Sequence, residues 1–236
     1  MNILVISPHL DDSVWSLGGA MRRWHRRGHR VVSLTVFAGR TTPHAPSTWD
    51  TACGFRSGDE AAIARRDEDR RACAMVGAEA QWLTLSDQTH EPDHDPDEVW
   101  RELAPCLPGH DLVLVPGWPL RHADHRWLAD LIDERIDADH VVAGYGEQPY
   151  LSMTTTAPRA PHLTPVRTRH GVDLHWHHHR MSVREVLAKR RAIVAYRSQL
   201  EPQRTDVRRL RRYEATARSE AIAWSSASES MRLELA

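Results

Sequence analysis

Residues 2–7 (NILVIS) form an unbroken apolar run, and a strand with no polar alternation needs cover on both faces. Such a strand belongs inside a parallel sheet, where crossover helices carry the chain back. The following residues supply that alternation. A helical stretch holding Gly18-Gly19 closes near Arg27-Gly28, and a β-rich run follows at 30–37. Residues 39–58, rich in Gly, Pro, Thr and Ser, read as a long loop. Helical composition over 59–76 stops at Gly77. A strand at 81–85, a polar loop at 88–97 and a helix to about Leu103 come next. The clearest later strand is 111–116 (DLVLVP), followed by a helix near 124–136 and a strand at 140–144. This order predicts an α/β fold, a Rossmann-like and mostly parallel sheet with helices on both faces. Sites in such sheets lie outside the carboxyl ends of the strands.

Beyond residue 150 the pattern weakens. Residues 153–180 read as loop or irregular strands, 182–199 as a helix and 204–224 as a basic helix. The expected organisation is one α/β domain over 1–200, with a helical extension over 201–236 packed on it. The 41% hydrophobic content suffices for a real core, and a net charge of -1 gives no pull toward nucleic acid. No apolar run reaches the ~20 residues of a membrane span. The N-terminus has no basic segment before its apolar run, and three scattered cysteines make no disulfide framework. A cytoplasmic protein is expected, and a homo-oligomer stays open.

Sixteen histidines make a histidine beside an acid a chance event, so spacing and context must carry any metal argument. Two clusters have both. Pro8-His9-Leu10-Asp11-Asp12 leaves the first strand, and His122-Ala123-Asp124-His125 follows the strand at 111–116. Two imidazoles and a carboxylate with one open position suit Zn²⁺. His9 and Asp12, three apart in a tight turn, can converge on one point, and His125 reaches it if the two strands are neighbours. Asp11 is then free to take a proton from a water, and His122 stands where it can polarise a carbonyl. The alternative is a helix cap, with Asp11 or Asp12 serving the helix at 14–27 and His122-Asp124 a solvated loop.

These residues resemble a known family. SPHLDDSVWSLGG is similar to the first motif of the PIG-L/LmbE-like zinc N-deacetylases, and HADH to their second. The resemblance implies one Zn²⁺ per chain on His9, Asp12 and His125, with Asp11 as general base. It implies His122 as the oxyanion-stabilising group, oriented by Asp124. Arg65-Arg66-Asp67-Glu68 looks like the family's Arg-x-x-Glu helix and Ser86-Asp87 like its strand-end aspartate. The resemblance sets Arg65 and Asp87 against sugar hydroxyls; pairing of Arg65 with Glu68 or Asp69 on its own helix is the alternative, and an Arg66-Asp69 register is also open. Tyr145 to Tyr150 and Lys189 to Leu200 are similar to later family segments. Ser13 departs from the glutamate many members carry, and Leu120 stands where some place a tyrosine.

The implied activity is removal of the acetyl group from an N-acetylated amino sugar, N-acetylglucosamine or a relative, in a small-molecule conjugate. A zinc hydrolase of another amide or ester is the first alternative, and a non-catalytic sugar-binding module of the same fold the second. His175 to His179 reads as a flexible or substrate-facing loop before a second metal site. His90 to Asp95 reads as a solvated acidic loop, and the arginines of 204–212 as a solvated helix face.

Overall fold

The computed structural model describes residues 1–39, 46–86, 94–151, 166–167, 173–200 and 218–235. Its elements are β1 (Asn2–Ser7), α1 (Asp12–Arg26), β2 (Arg30–Thr35), α2 (Thr48–Ala52), α3 (Gly58–Val76), β3 (Glu79–Trp82) and α4 (Pro96–Leu103). There follow β4 (Leu112–Trp118), α5 (Ala123–Arg135), β5 (Val142–Gly146), β6 (Val166–Arg167) and β7 (Asp173–Arg180). The last are α6 (Val183–Ala195), α7 (Arg197–Leu200), β8 (Ser219–Trp224) and α8 (Glu229–Leu235). Among the described residues the strands make one sheet in the order β3-β2-β1-β4-β5-β8-β7-β6. The first five in that order run parallel, and β8, β7 and β6 each join antiparallel. The Rossmann-like expectation holds, with helices on both faces.

β1 behaves as its composition requires. Ile3 and Val5 face a core built with α1, α3 and α6, while Leu4 and Ile6 face a second core built with α4 and α5. The caps follow local chemistry. Ser57 begins α3 by accepting from Glu60 N–H, and Gly77 ends it at φ 81. A Cβ on Gly77 would come within 2.3 Å of the His25 ring, so glycine alone fits. Ser182 and Glu185 form a capping box at the start of α6.

The helices of the first face are pinned by buried polar contacts. Asp69 of α3 accepts from Tyr196 Oη–H (2.7 Å) and Trp82 Nε1–H (2.8 Å), and Glu68 accepts from the amide and hydroxyl of Ser198. Lys189, the chain's one lysine, donates to Glu220 (2.6 Å) and to the Ser16 carbonyl (3.2 Å). The Glu220 carboxylate also accepts from the N–H groups of Gly19 (2.9 Å) and Ala20 (2.7 Å) inside α1. Gly18-Gly19 makes this approach possible: a Cβ on Gly19 would lie 2.2 Å from Met181 Sδ, and one on Gly18 3.1 Å from Lys189 Cγ.

Several segments differ from expectation. The stretch 39–58 contains α2, closed by a Ser47/Asp50 capping box. The third strand is 79–82 and begins two residues earlier than expected, with Trp82 at its end donating to Asp69. His175 to His179 lies in β7, paired with β8 along its length. The helix expected over 204–224 is, from Ser219, a buried strand, and the extension expected to be helical inserts β8 into the sheet. Residues 204–217 lie outside the described residues. Among the described residues no helix is long and apolar enough to cross a membrane.

Replacing Lys189 by methionine strands Glu220 in the core without its counter-charge, and breaking a buried pair from one side typically costs about 3–5 kcal/mol. Denaturant unfolding of Lys189→Met is expected to register a loss of that order. A change under about 1 kcal/mol would mean that the two amides of α1 hold Glu220 without help.

Candidate metal centre

Parallel pairing of β1 with β4, Ile3 opposite Leu112 and Val5 opposite Leu114, sets the turns beyond the two strands side by side. The chain switches direction across the sheet at this point, since β2 and β3 lie on one side of β1 and β4 and β5 on the other. Ser7 shapes the first turn: its hydroxyl donates to the His9 carbonyl (2.7 Å) and accepts from Ser13 N–H (3.1 Å). Ser13, in the place of an expected glutamate, turns inward to bond Ser33 (2.7 Å). Asp11 takes the N-cap position of α1 at φ 120, in the left-handed region, and its carboxylate makes no capping bond. A backbone held there is strained, so the helix-cap explanation of Asp11 fails. Asp12 folds back instead, its Oδ2 accepting from His9 N–H at 2.9 Å.

Three donor atoms converge as a result. His9 Nδ1 lies 3.1 Å from His125 Nε2. Asp12 Oδ2 lies 3.1 Å from His125 Nε2 and 3.5 Å from His9 Nδ1. Ligands about 2.1 Å from a tetrahedral ion stand about 3.4 Å from one another, so the triangle has the size a zinc-like cation needs. The tautomers agree. His125 Nδ1 faces Glu147 Oε1 at 2.5 Å and His9 Nε2 faces Asp124 Oδ2 at 2.7 Å, so each ring gives its proton outward and turns a lone pair inward.

The electrostatics describe the same centre. Burial alone would lower the His9 imidazole, yet its bonds to Asp12 and Asp124 outweigh that and raise it to about 9. His125 is likewise disfavoured by burial but raised to about 10 by Asp12 and Glu147. Asp12 is held below the carboxylate range by the two imidazoles against its own burial. Asp11 moves the other way, pushed well up by burial and by the charge of Asp12. Donor atoms crowded this closely call for positive charge among them, which a divalent cation would provide.

His122 caps α5 with its side chain: Nδ1 accepts from Asp124 N–H at 3.2 Å, which leaves Nε2–H pointing elsewhere. Its ring centre is 4.8 Å from that of His9, and burial lowers its pKa. His9, His122 and His125 also offer nitrogens that all lie within 4.8 Å of one another. The set with Asp12 is tighter, and the outward nitrogen of each of its rings is hydrogen-bonded. Asp124 was expected to orient His122; its carboxylate bonds His9, and its nearest approach to His122 Nδ1 is 3.7 Å.

Sequence reasoning missed Glu147. Its Oε2 accepts from the Leu120 amide at 2.9 Å while Oε1 holds His125, so one carboxylate beyond β5 braces the turn after β4 and the helix that follows it. The Tyr145–Tyr150 run carried it into view as a segment without pointing to a role. Leu120 takes φ 50 there. Arg65 pairs with Asp50 (2.9 Å) while its guanidinium lies over the Phe55 ring, 5.7 Å from the centroid; it pairs with neither Glu68 nor Asp69 of its own helix, and Arg66 bonds the Ala38 carbonyl (2.8 Å). Asp50, buried in α2, was hidden in a stretch read as loop. Asp87 lies outside the described residues. His94, in a loop read as solvated, stacks on Phe37 at 4.6 Å, and Phe37 is 6.0 Å from His9.

The sequence model of the PIG-L family, described as GlcNAc-PI de-N-acetylase, matches residues 4–136, which include both clusters. The chain belongs to the PIG-L family. Solved structures of similar fold include the A40926 pseudoaglycone deacetylase Dbv21, 23% identical, with a TM-score of 0.77 over 94% of this chain and 96% of that one. A deacetylase of teicoplanin biosynthesis, solved with teicoplanin, is 22% identical, with a TM-score of 0.72 over 95% and 98%. The N,N'-diacetylchitobiose deacetylase of Pyrococcus horikoshii is 20% identical, with a TM-score of 0.55 over 84% and 70%. No curated protein matches the chain. At these identities the structures establish that this PIG-L chain shares their fold.

Elemental analysis of the purified protein is expected to give about one divalent metal per chain, lost in Asp12→Ala and in His125→Ala. Glu147→Gln should weaken metal affinity about 10–100-fold, the usual effect of removing the partner of a ligating histidine. Full metal content in both alanine variants would place the ion elsewhere.

Proposed function

We propose that this chain is a metal-dependent N-deacetylase that hydrolyses the acetamido group of an amino sugar in a glycoside or sugar-bearing metabolite. The observation that carries the reading is the triangle of His9 Nδ1, Asp12 Oδ2 and His125 Nε2 with Asp11 beside it, uncommitted as a cap. Similarity to structures named as glycopeptide and chitobiose deacetylases supports the acetamido sugar as substrate class.

His9, Asp12 and His125 would hold the cation, and their N/N/O donor set favours zinc. Bound there, it supplies a Lewis acid and a water of lowered pKa. Asp11 accepts the proton of the attacking water on its carboxylate and returns it to the leaving nitrogen, as a general base and then acid. His122 donates Nε2–H to the oxyanion of the tetrahedral species. Asp124 and Glu147 hold the two ligand rings in their working tautomers. Arg65, gripped by Asp50 at the rim, and Asp87 would meet ring hydroxyls. The stacked Phe37 and His94 wall the same side of His9.

Acetate release across a panel of N-acetyl sugar conjugates tests the reading. At least one conjugate is expected to turn over, and Asp11→Asn should lower that rate about 10²–10⁴-fold while metal content stays. Turnover confined to non-acetamide esters or amides would move the chain to the neighbouring hydrolase reading. Near-normal turnover in Asp11→Asn would remove its role.

His122→Ala separates oxyanion stabilisation from binding. The expected outcome is a large fall in kcat with little rise in KM, because the contact strengthens only in the transition state. A pure KM effect with intact kcat would make His122 a substrate-binding residue.

A further inference from the structure

Across four adjacent strands one row of the sheet reads Val115, Gly144, Ala223, Trp176, each paired in register with the next. Two small residues between bulkier ones leave a trough. α5 walls it on one side, Leu174 and Trp176 on the other, and the cavity measures about 350 Å³. That is the low end of small-ligand sites, and its walls are mainly apolar, as such sites require. A Cβ added at Gly144 would meet Gly117 Cα at 3.6 Å and Ala223 Cβ at 3.7 Å, ordinary contact distances, so a larger side chain there would have to extend into the trough.

One rim is acidic. Asp130 and Asp133 of α5 and Asp137, just past its end, all line the cavity. The C-terminal end of α5 lies beside them and contributes the negative pole of its dipole. His140 lines the same end, and its Nδ1 is buried with no hydrogen-bond partner. A buried imidazole nitrogen left unpaired is unfavourable, and in the tautomer protonated on Nε2 a ligand N–H would satisfy it. Apolar walls, anionic rim and orphaned acceptor together describe one kind of occupant.

We propose that the trough between α5 and the β5–β8–β7 face binds an amphiphilic amine: an alkyl or aryl body along Gly144 and Ala223, with its protonated amino group at Asp130, Asp137 and His140. An isologous second copy fits less well, since it would bring the two acidic rims close together. The site is separate from the metal centre and stands independently of the proposed reaction. It touches the centre's frame at one place, because Leu120 lines the cavity and its amide is held by Glu147.

Titration of tryptophan fluorescence with octylamine, and with octanol as its neutral isostere, tests this. Octylamine should bind saturably, one per chain, about fivefold or more tighter than octanol, with the difference shrinking at high salt. Gly144→Val, which fills the trough, should abolish saturable binding of both. Asp130→Asn/Asp137→Asn, on exposed side chains, should keep octanol binding and lose the preference for the amine. Equal affinity for the two probes would overturn the proposal, as would binding unchanged in the aspartate variant. So would a concentration-dependent dimer, seen by sedimentation, that excludes both probes from the wild type and dissociates in Gly144→Val.

Discussion

Everything at the centre depends on the parallel pairing of β1 with β4. Strands adjacent in the sheet but more than a hundred residues apart in the chain end at the same level, so the turns that leave them share one volume. Each turn brings only part of the candidate ligand set. His9 and Asp12 come from one side and His125 from the other. A shift of one residue in this register would reverse which side chains face each core and carry the two turns apart. In the observed register Ile3 and Val5 face one core and Leu4 and Ile6 the other.

Around the triangle, carboxylates do the positioning. Asp124 and Glu147 each take the outward proton of one ligand ring, and Glu147 reaches on to Leu120. Ser16 accepts from Gln148 N–H at 3.1 Å, so the segment carrying Glu147 is tied to α1, the helix that begins with Asp12. α1 is tied in turn to α6 and β8 through Lys189 and Glu220. Rigid support of this kind holds ligand atoms to within a few tenths of an ångström, as a metal site demands.

What could be read in the sequence followed from how local its cause was. The unbroken run at 2–7, the stop at Gly77 and the acid pair after β1 act within a few residues, and fold class and ligand candidates followed from them. The partner of each ligand ring is fixed by tertiary placement. Asp124 sits one residue from His125 yet bonds His9, and no spacing rule distinguishes that from a bond to His122. Glu147 and Asp50 gain their contacts only once β5 and α2 are in place. β8 was misread because SEAIAW has an apolar pattern too short to separate strand from helix, and the arginines before it pull the composition toward helix.

The insertion of β8 between β5 and β7 has a consequence for the order of assembly. On the ribosome, β1 to β5 and the helices around them emerge well before residue 219. Until it does, the β5 edge is open, Lys189 has no counter-charge, and the amides of Gly19 and Ala20 lack the carboxylate that receives them. Trp24 waits longer still, for the Leu235 carbonyl that its indole bonds at 3.2 Å. Such long-range closure is slow and leaves a strand edge exposed in the meantime. The nascent chain therefore holds both halves of its candidate metal centre well before it holds the strand that locks them, and the segment from Ser219 decides when the sheet closes.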